Sequence, residues 1–222
     1  MPSQTTRIFP TKLPLKHSAS VKISGRLLST VFAMSHLSDF DAPNSHIPDA
    51  EHLYGQLFKQ LYELFSRAAQ PPALIGIHRG GAWLVERLHH DLGLLEPFGT
   101  LDISFYRDDY ATKGISANIK TTHIPFDIEN RVVVLCDDIL NSGRSVRGAL
   151  NELFEFGRPA NVLLAVLYDR GGRQLPIAAQ IMGGAGEFDP AYKLVLERDA
   201  SNRFCFRIPR RIDPTESFKE LL

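Results

Sequence analysis

Val132-Val-Val-Leu-Cys-Asp-Asp-Ile-Leu-Asn-Ser-Gly-Arg-Ser145 is the stretch whose reading decides the fold. Residues 131–136 lead it with an arginine and then a continuous apolar, β-branched run, the pattern of a strand buried on both faces. Two carboxylates, Asp137 and Asp138, follow, then a short Ser/Gly turn, then a helical pattern over 145–156 with Val146, Ala149, Leu150 and Leu153 inward. A buried strand feeding a helix through a tight turn is half of a βαβ unit. The second strand reads over 162–168. Upstream the alternation repeats. Asp49 stands where a helix cap belongs, and Leu53, Leu57, Leu61, Leu64 and Ala68 recur at three- and four-residue steps until Pro71 and Pro72 stop them. Residues 73–77 are short and apolar enough for a buried strand. His78-Arg-Gly-Gly81 breaks it, and a helix over 82–91 closes at Gly93. Leu101, Ile103 and Phe105 alternate with Asp102, Ser104 and Tyr106 as a strand does, whereas 107–122 has no apolar period and reads as a long loop. The predicted fold class is α/β, a central, mainly parallel sheet with helices on both faces. Segments 178–182, 192–197 and 203–208 supply extra strands or a small hood.

Ligands of open α/β sheets bind at the carboxyl ends of the strands, and the acidic run lies there. The turn at 141–145 offers backbone N–H groups not yet paired in a helix, with the Ser142 and Ser145 hydroxyls, as a seat for a phosphate. Gly143 permits the close approach. Asp137 and Asp138 suit a phosphate badly, because anions repel, but suit sugar hydroxyls or a divalent cation. One sugar phosphate spanning both halves meets every requirement; the plainer reading is an Asp-Asp turn that caps a helix. No GxxxxGK[ST] occurs, and no GxGxxG follows a strand.

The run resembles the phosphoribosyl-pyrophosphate (PRPP) motif of type I phosphoribosyltransferases. Ile77-His-Arg-Gly-Gly-Ala-Trp83 is similar to that family's pyrophosphate loop, and Arg107-Asp-Asp109 opens what resembles its flexible catalytic loop. Leu101-Asp-Ile-Ser-Phe-Tyr-Arg-Asp-Asp109, Gly157-Arg-Pro159 and Ala165-Val-Leu-Tyr-Asp-Arg-Gly-Gly-Arg-Gln-Leu-Pro176 narrow the resemblance to the PyrR family, over about residues 47 to 209. Its members are uracil phosphoribosyltransferases, many of which also regulate pyrimidine genes by binding messenger RNA.

The resemblance implies a type I phosphoribosyltransferase fold and the reaction of uracil with PRPP to give UMP and pyrophosphate, with Mg²⁺. It makes Arg107, Asp108, Asp109, Asp137 and Asp138 the catalytic set. Asn141, Ser142, Gly143, Arg144 and Ser145 would hold the 5-phosphate, with Ile139 and Leu140 also among the PRPP-binding residues. Asp137 and Asp138 would take the ribose hydroxyls and help to place Mg²⁺ through PRPP. Arg79 and Gly80 would meet the pyrophosphate, Arg173 would orient the ligand, and Tyr168, Asp169 and Arg170 would lie on the base side. A homo-oligomer, a cytoplasmic location and a messenger RNA partner are also implied. Many members carry Thr-Arg-Gly in the pyrophosphate loop; here Arg79-Gly80-Gly81 shifts the cation by one position.

Plainer readings stand beside these. Arg170 and Arg173 are surface cations near a turn, Asp108 and Asp109 solvate a lid, Trp83 packs a helix, and Cys136 is an inert strand cysteine. An mRNA-binding regulator with little or no enzymatic activity is the alternative function. Arg144, Arg147, Arg158, Arg170 and Arg173 would form its basic patch if the fold gathers them. A purine or orotate transferase is a third reading, against which residues 168–176 speak.

Composition agrees with a soluble domain. The chain has 222 residues, 44% of them hydrophobic, and balances 25 basic against 25 acidic side chains, which argues against a protein built chiefly to wrap nucleic acid. No apolar run reaches the roughly 18 residues of a membrane span. Two cysteines make no disulfide framework, and none of the eight histidines has zinc-like spacing. Residues 1–46 read as a separate, disordered tail before a domain at 47–222. Before Asp39 the tail has no acidic residue. An organelle-targeting presequence also fits it, as does a start at Met34; its apolar stretch is short for a secretory signal.

Overall fold

The computed structural model describes residues 47–104 and 121–209. The expectations for residues 1–46, for Phe105 and Tyr106, and for Arg107, Asp108 and Asp109 lie outside the described residues. A helix α1 (Ala50–Arg67) leads into strand β1 (Ala73–Ile77), helix α2 (Gly80–Asp91) and strand β2 (Gly99–Leu101). Strand β3 (Val132–Leu140), helix α3 (Arg144–Leu153), strand β4 (Asn161–Asp169) and strand β5 (Ile181–Ala185) follow. Strands β6 (Val195–Arg198) and β7 (Phe204–Arg207) pair with each other, antiparallel.

The main sheet has the order β2-β1-β3-β4-β5, and every neighbouring pair is parallel. Its strands divide their side chains between two apolar layers. Leu74, Val134 and Cys136 pack with Leu53, Leu57 and Leu61 of α1 and with Leu84, Val85 and Leu88 of α2. Ile75, Ile77, Val133 and Leu135 pack with Val146, Ala149 and Leu153 of α3 on the other face. The alternation is the period of two that a strand imposes. It explains why the strands read as unbroken apolar runs.

Several boundaries differ from the expected ones, among them the end of α3, which stops at Leu153 rather than Phe156. β3 continues to Leu140, so Asp137 and Asp138 sit inside the strand rather than beyond it; Asp137 pairs with Val166, and Leu140 with Asp169, on β4. β2 is three residues long and stops before Asp102, whose carboxylate accepts the Ser104 N–H at 2.8 Å and turns the chain out of the ladder. α2 begins at Gly80, which places both glycines in its first turn. A Cβ on Gly81 would lie 2.4 Å from the Cys136 carbonyl oxygen, so only glycine lets this turn approach β3. β5 is the fifth strand of the main sheet, and only β6 and β7 form the expected small hood.

The hood is tied down by one arginine. Arg87 on α2 donates two hydrogen bonds to Glu51 on α1, at 2.7 and 2.9 Å, and its guanidinium lies 4.0 Å from the centre of the Tyr54 ring and 5.1 Å from that of Phe204. Glu51 also accepts the Phe204 N–H at 2.6 Å. The arginine holds the Glu51 carboxyl below its ordinary range. Among the described residues no helix is long and apolar enough to cross a membrane.

Candidate active site

The strand order creates a topological switch point between β1 and β3. The chain leaves β1 through α2 on one face of the sheet and leaves β3 through α3 on the other, so a crevice opens at the carboxyl ends of these two neighbouring strands. Both helices point their N-termini into it. Neither N-cap residue caps its helix through a side chain: Arg79 precedes α2, and Gly143, with φ +91°, precedes α3, whose Arg144 N–H donates to the Ser142 hydroxyl at 3.4 Å. By contrast, Asp49 caps α1 by accepting from the amides of Glu51 and His52. The first-turn N–H groups of α2 and α3 thus have no intrahelical partner and carry the positive end of each dipole. Two seats for anions flank one crevice.

The acid pair lies between them. Asp137 is buried, and its Oδ1 accepts the Asp138 N–H at 3.0 Å; Asp138 Oδ1 accepts the Ile139 N–H, also at 3.0 Å. Each carboxylate is oriented by the next amide. The Asp138 carboxylate also presses against the first turn of α2: a Cβ on Gly80 would lie 2.1 Å from Asp138 Oδ2. The two loops that the sequence singled out are therefore in direct contact. The peptide between His78 and Arg79 is cis, and the His78 N–H donates to the Leu101 carbonyl at 2.9 Å.

Behind the Asn141–Ser145 turn stands Arg173. It donates to the Asn141 carbonyl at 2.7 Å and to the Ile177 carbonyl at 2.9 Å, and it pairs with Asp169. The Ser142 carbonyl accepts the amides of Gln174 and Leu175, Arg144 Nε donates to the Gln174 side chain at 2.8 Å, and Gly143 abuts Ile177. The segment after β4 thus braces the Asn141–Ser145 turn from behind, and Arg173 orients that turn rather than lying loose on the surface.

Tyr168 and Arg170 are buried, and the Tyr168 ring meets Phe206 of the hood with centres 6.0 Å apart. Burial pushes the tyrosine hydroxyl's pKa up and pulls that of Arg170 down. Arg170 lies over Phe188 and donates to the Asp189 carbonyl at 3.3 Å. With Arg170 buried and Arg173 engaged by the loop, the five arginines do not make one open basic face; Arg147 and Arg158 remain exposed. Cys136 is fully buried and its thiol pKa is raised, chiefly by desolvation and then by Asp137, as expected of an inert cysteine. Trp83 packs against the core beneath Arg198.

Sequence reasoning passed over one residue. Asp102, at the carboxyl end of β2, is 8% exposed, and its Oδ2 is buried with no hydrogen-bond partner among the described residues. The signal was a carboxylate on the last turn of an apolar alternation, read there only as the polar half of a strand.

For a divalent cation the chain offers little by itself. Among the described residues no group of three His, Cys, Asp or Glu is placed to hold a metal ion. Two adjacent carboxylates, each with an oxygen engaged by an amide, fit a Mg²⁺ that takes its other ligands from substrate phosphates and water.

The phosphoribosyl transferase domain family matches residues 45–185. The bifunctional protein PyrR of Ralstonia nicotianae is 47% identical over 165 residues, which cover 71% of this chain and 92% of that protein. The bifunctional protein PyrR of Nitrosococcus oceani is 43% identical over 147 residues, 65% of this chain and 81% of that one. Among solved structures, the glutamine mutant from an analysis of an invariant aspartic acid in HPRTs superimposes with a TM-score of 0.52 at 18% identity, over 78% of this chain and 96% of that one. At that identity the likeness is one of fold.

Proposed function

The chain belongs to the PyrR family of phosphoribosyltransferase domains, and from that premise we propose that it transfers the phosphoribosyl group of PRPP to uracil. The observation that carries this reading is the pair of helix N-termini on opposite faces of the sheet, neither bonded by its N-cap side chain, with two oriented carboxylates between them. PRPP has the matching layout: a phosphate at one end, a pyrophosphate at the other, and ribose hydroxyls between.

The α3 N-terminus, from Asn141 to Ser145, takes the 5-phosphate. The first turn of α2, at Arg79 and Gly80, takes the pyrophosphate. Asp137 and Asp138 accept from the ribose hydroxyls. In the reaction the bond from the anomeric carbon to pyrophosphate breaks, and pyrophosphate leaves with the electron pair. N1 of uracil bonds the same carbon and sheds its proton. The carbon passes through oxocarbenium character, so the protein's work is to align the partners and stabilise the leaving anion. Mg²⁺, held by Asp137, Asp138 and the substrate's own oxygens, would supply further charge for that anion. Tyr168, Asp169 and Arg170, at the end of β4, form the base side. Arg107, Asp108 and Asp109 complete the proposed catalytic set.

Pyrophosphate release from PRPP and Mg²⁺ tests the proposal, with uracil in one sample and orotate, hypoxanthine or no base in the others. Release with uracil alone is expected. Release with orotate or hypoxanthine but not uracil overturns the choice of base. A second activity, RNA-dependent regulation of pyrimidine genes responsive to UMP, is favoured by the name bifunctional that the relatives carry. Its test is salt-dependent binding of a pyrimidine-gene leader RNA. If no base supports release while PRPP and UMP still bind, the regulator reading takes first place.

A further inference from the structure

We infer that Asp102 is a positioning residue for the pyrophosphate seat, acting through Arg79. The inference rests on the reading above and extends it to a residue that the motif at 101–109 contains but to which that reading gives no role. A carboxylate oxygen buried without a partner is a group that folding disfavours, and native proteins keep such groups where another state satisfies them. Asp102 Oδ1 is fully engaged, accepting the Ser104 N–H at 2.8 Å and the Ser104 hydroxyl at 2.5 Å, while Oδ2 has no partner among the described residues. The Asp102 N–H donates to the Thr122 hydroxyl at 3.1 Å, and that hydroxyl donates to another carboxylate, Glu152, at 3.0 Å.

The cation that could answer it stands on the next strand. β1 and β2 are parallel neighbours with Ile77 opposite Leu101, and the His78 N–H donates to the Leu101 carbonyl. Continued one step, that register sets His78 opposite Asp102 and Arg79 one residue further along, so the two backbones lie diagonally across one strand spacing, on the order of 6 Å, within reach of an arginine side chain. Arg79 is exposed and contributes no side-chain cap to α2. A guanidinium has five donors in a planar fork, so it can present one edge to pyrophosphate while a carboxylate holds the other. When pyrophosphate draws Arg79 in, Asp102 becomes the carboxylate behind it and sets the plane of the fork.

A double-mutant cycle measured by calorimetry tests this, using Asp102→Asn, Arg79→Gln and the double variant, each titrated with PRPP and separately with UMP. D102N is expected to weaken PRPP binding about tenfold in the parent and hardly at all in the R79Q background. UMP, which lacks the pyrophosphate, should bind all four proteins alike. Additive losses for PRPP would overturn the inference, as would an equal loss for UMP, because either would mark a merely structural carboxylate. Parent protein that binds UMP but not PRPP would instead overturn the proposed function, and the inference with it. Circular dichroism checks each variant, and if D102N folds poorly Asp102→Ser replaces it in the same cycle with the same expected and overturning results.

Discussion

At the scale of single residues, the acid pair and one glycine carry the sharpest consequences. Replacing Asp137 and Asp138 together by Asn removes two charged acceptors but keeps their shape. We expect PRPP affinity to fall about a hundredfold or more, with circular dichroism unchanged. Calorimetry showing tight PRPP binding by the double variant would refute the assigned role. Gly80→Ala should be nearly as damaging without touching a charge, since the new methyl would sit 2.1 Å from Asp138 Oδ2 and one of them must move. PRPP affinity should drop at least about tenfold, a displacement effect of the kind that tight packing at a site produces. Gly55→Ala on α1 makes the contrast. Nothing lies within 4 Å of its added Cβ, so the change should stabilise the fold by about 0.5–1 kcal/mol and leave binding alone, as urea titration would register.

At the scale of elements, the contact between α1, α2 and β7 depends on the Glu51 carboxylate. Its pKa is below the ordinary 4.5 in the folded protein, first because of the hydrogen bond from Arg87. The stabilisation is therefore fully present above about pH 4.5 and is lost as pH falls through the lowered folded value. Glu51→Gln should cost about 1–3 kcal/mol at pH 7, and the gap from the parent should close in acid. Denaturant midpoints at pH 7 and pH 3 check this; a gap unchanged in acid would show that the carboxylate is not the source. The same scale shows where sequence patterning succeeded. β1 is bounded as its apolar run suggests, and α1 runs from the residue after its Asp49 cap to the arginine before Ala68. It misjudged β2 and the start of α2, because the side-chain turn at Asp102 and the approach of Gly81 to Cys136 are not periodic signals.

At the scale of the whole molecule, family resemblance suggests a homo-oligomer; light scattering at micromolar concentration should give a mass above the 24.8 kDa of one chain, and a monomer mass would sink it. The sequence by itself determined the parallel α/β class, because strands buried on both faces must be apolar throughout. It also placed a Ser-Gly turn between the acid pair and the next helix, because turn residues after an apolar strand are local chemistry. What only the tertiary structure decided is the neighbourhood of residues far apart in the chain. Gly80 against Asp138, Arg173 behind Asn141 and Arg87 between Tyr54 and Phe204 each depend on the strand order or on how α1, α2 and the hood dock. The unpartnered oxygen of Asp102 is likewise a product of burial. Periodicity records which face of an element is apolar; it does not record which element that face, or that strand end, will meet.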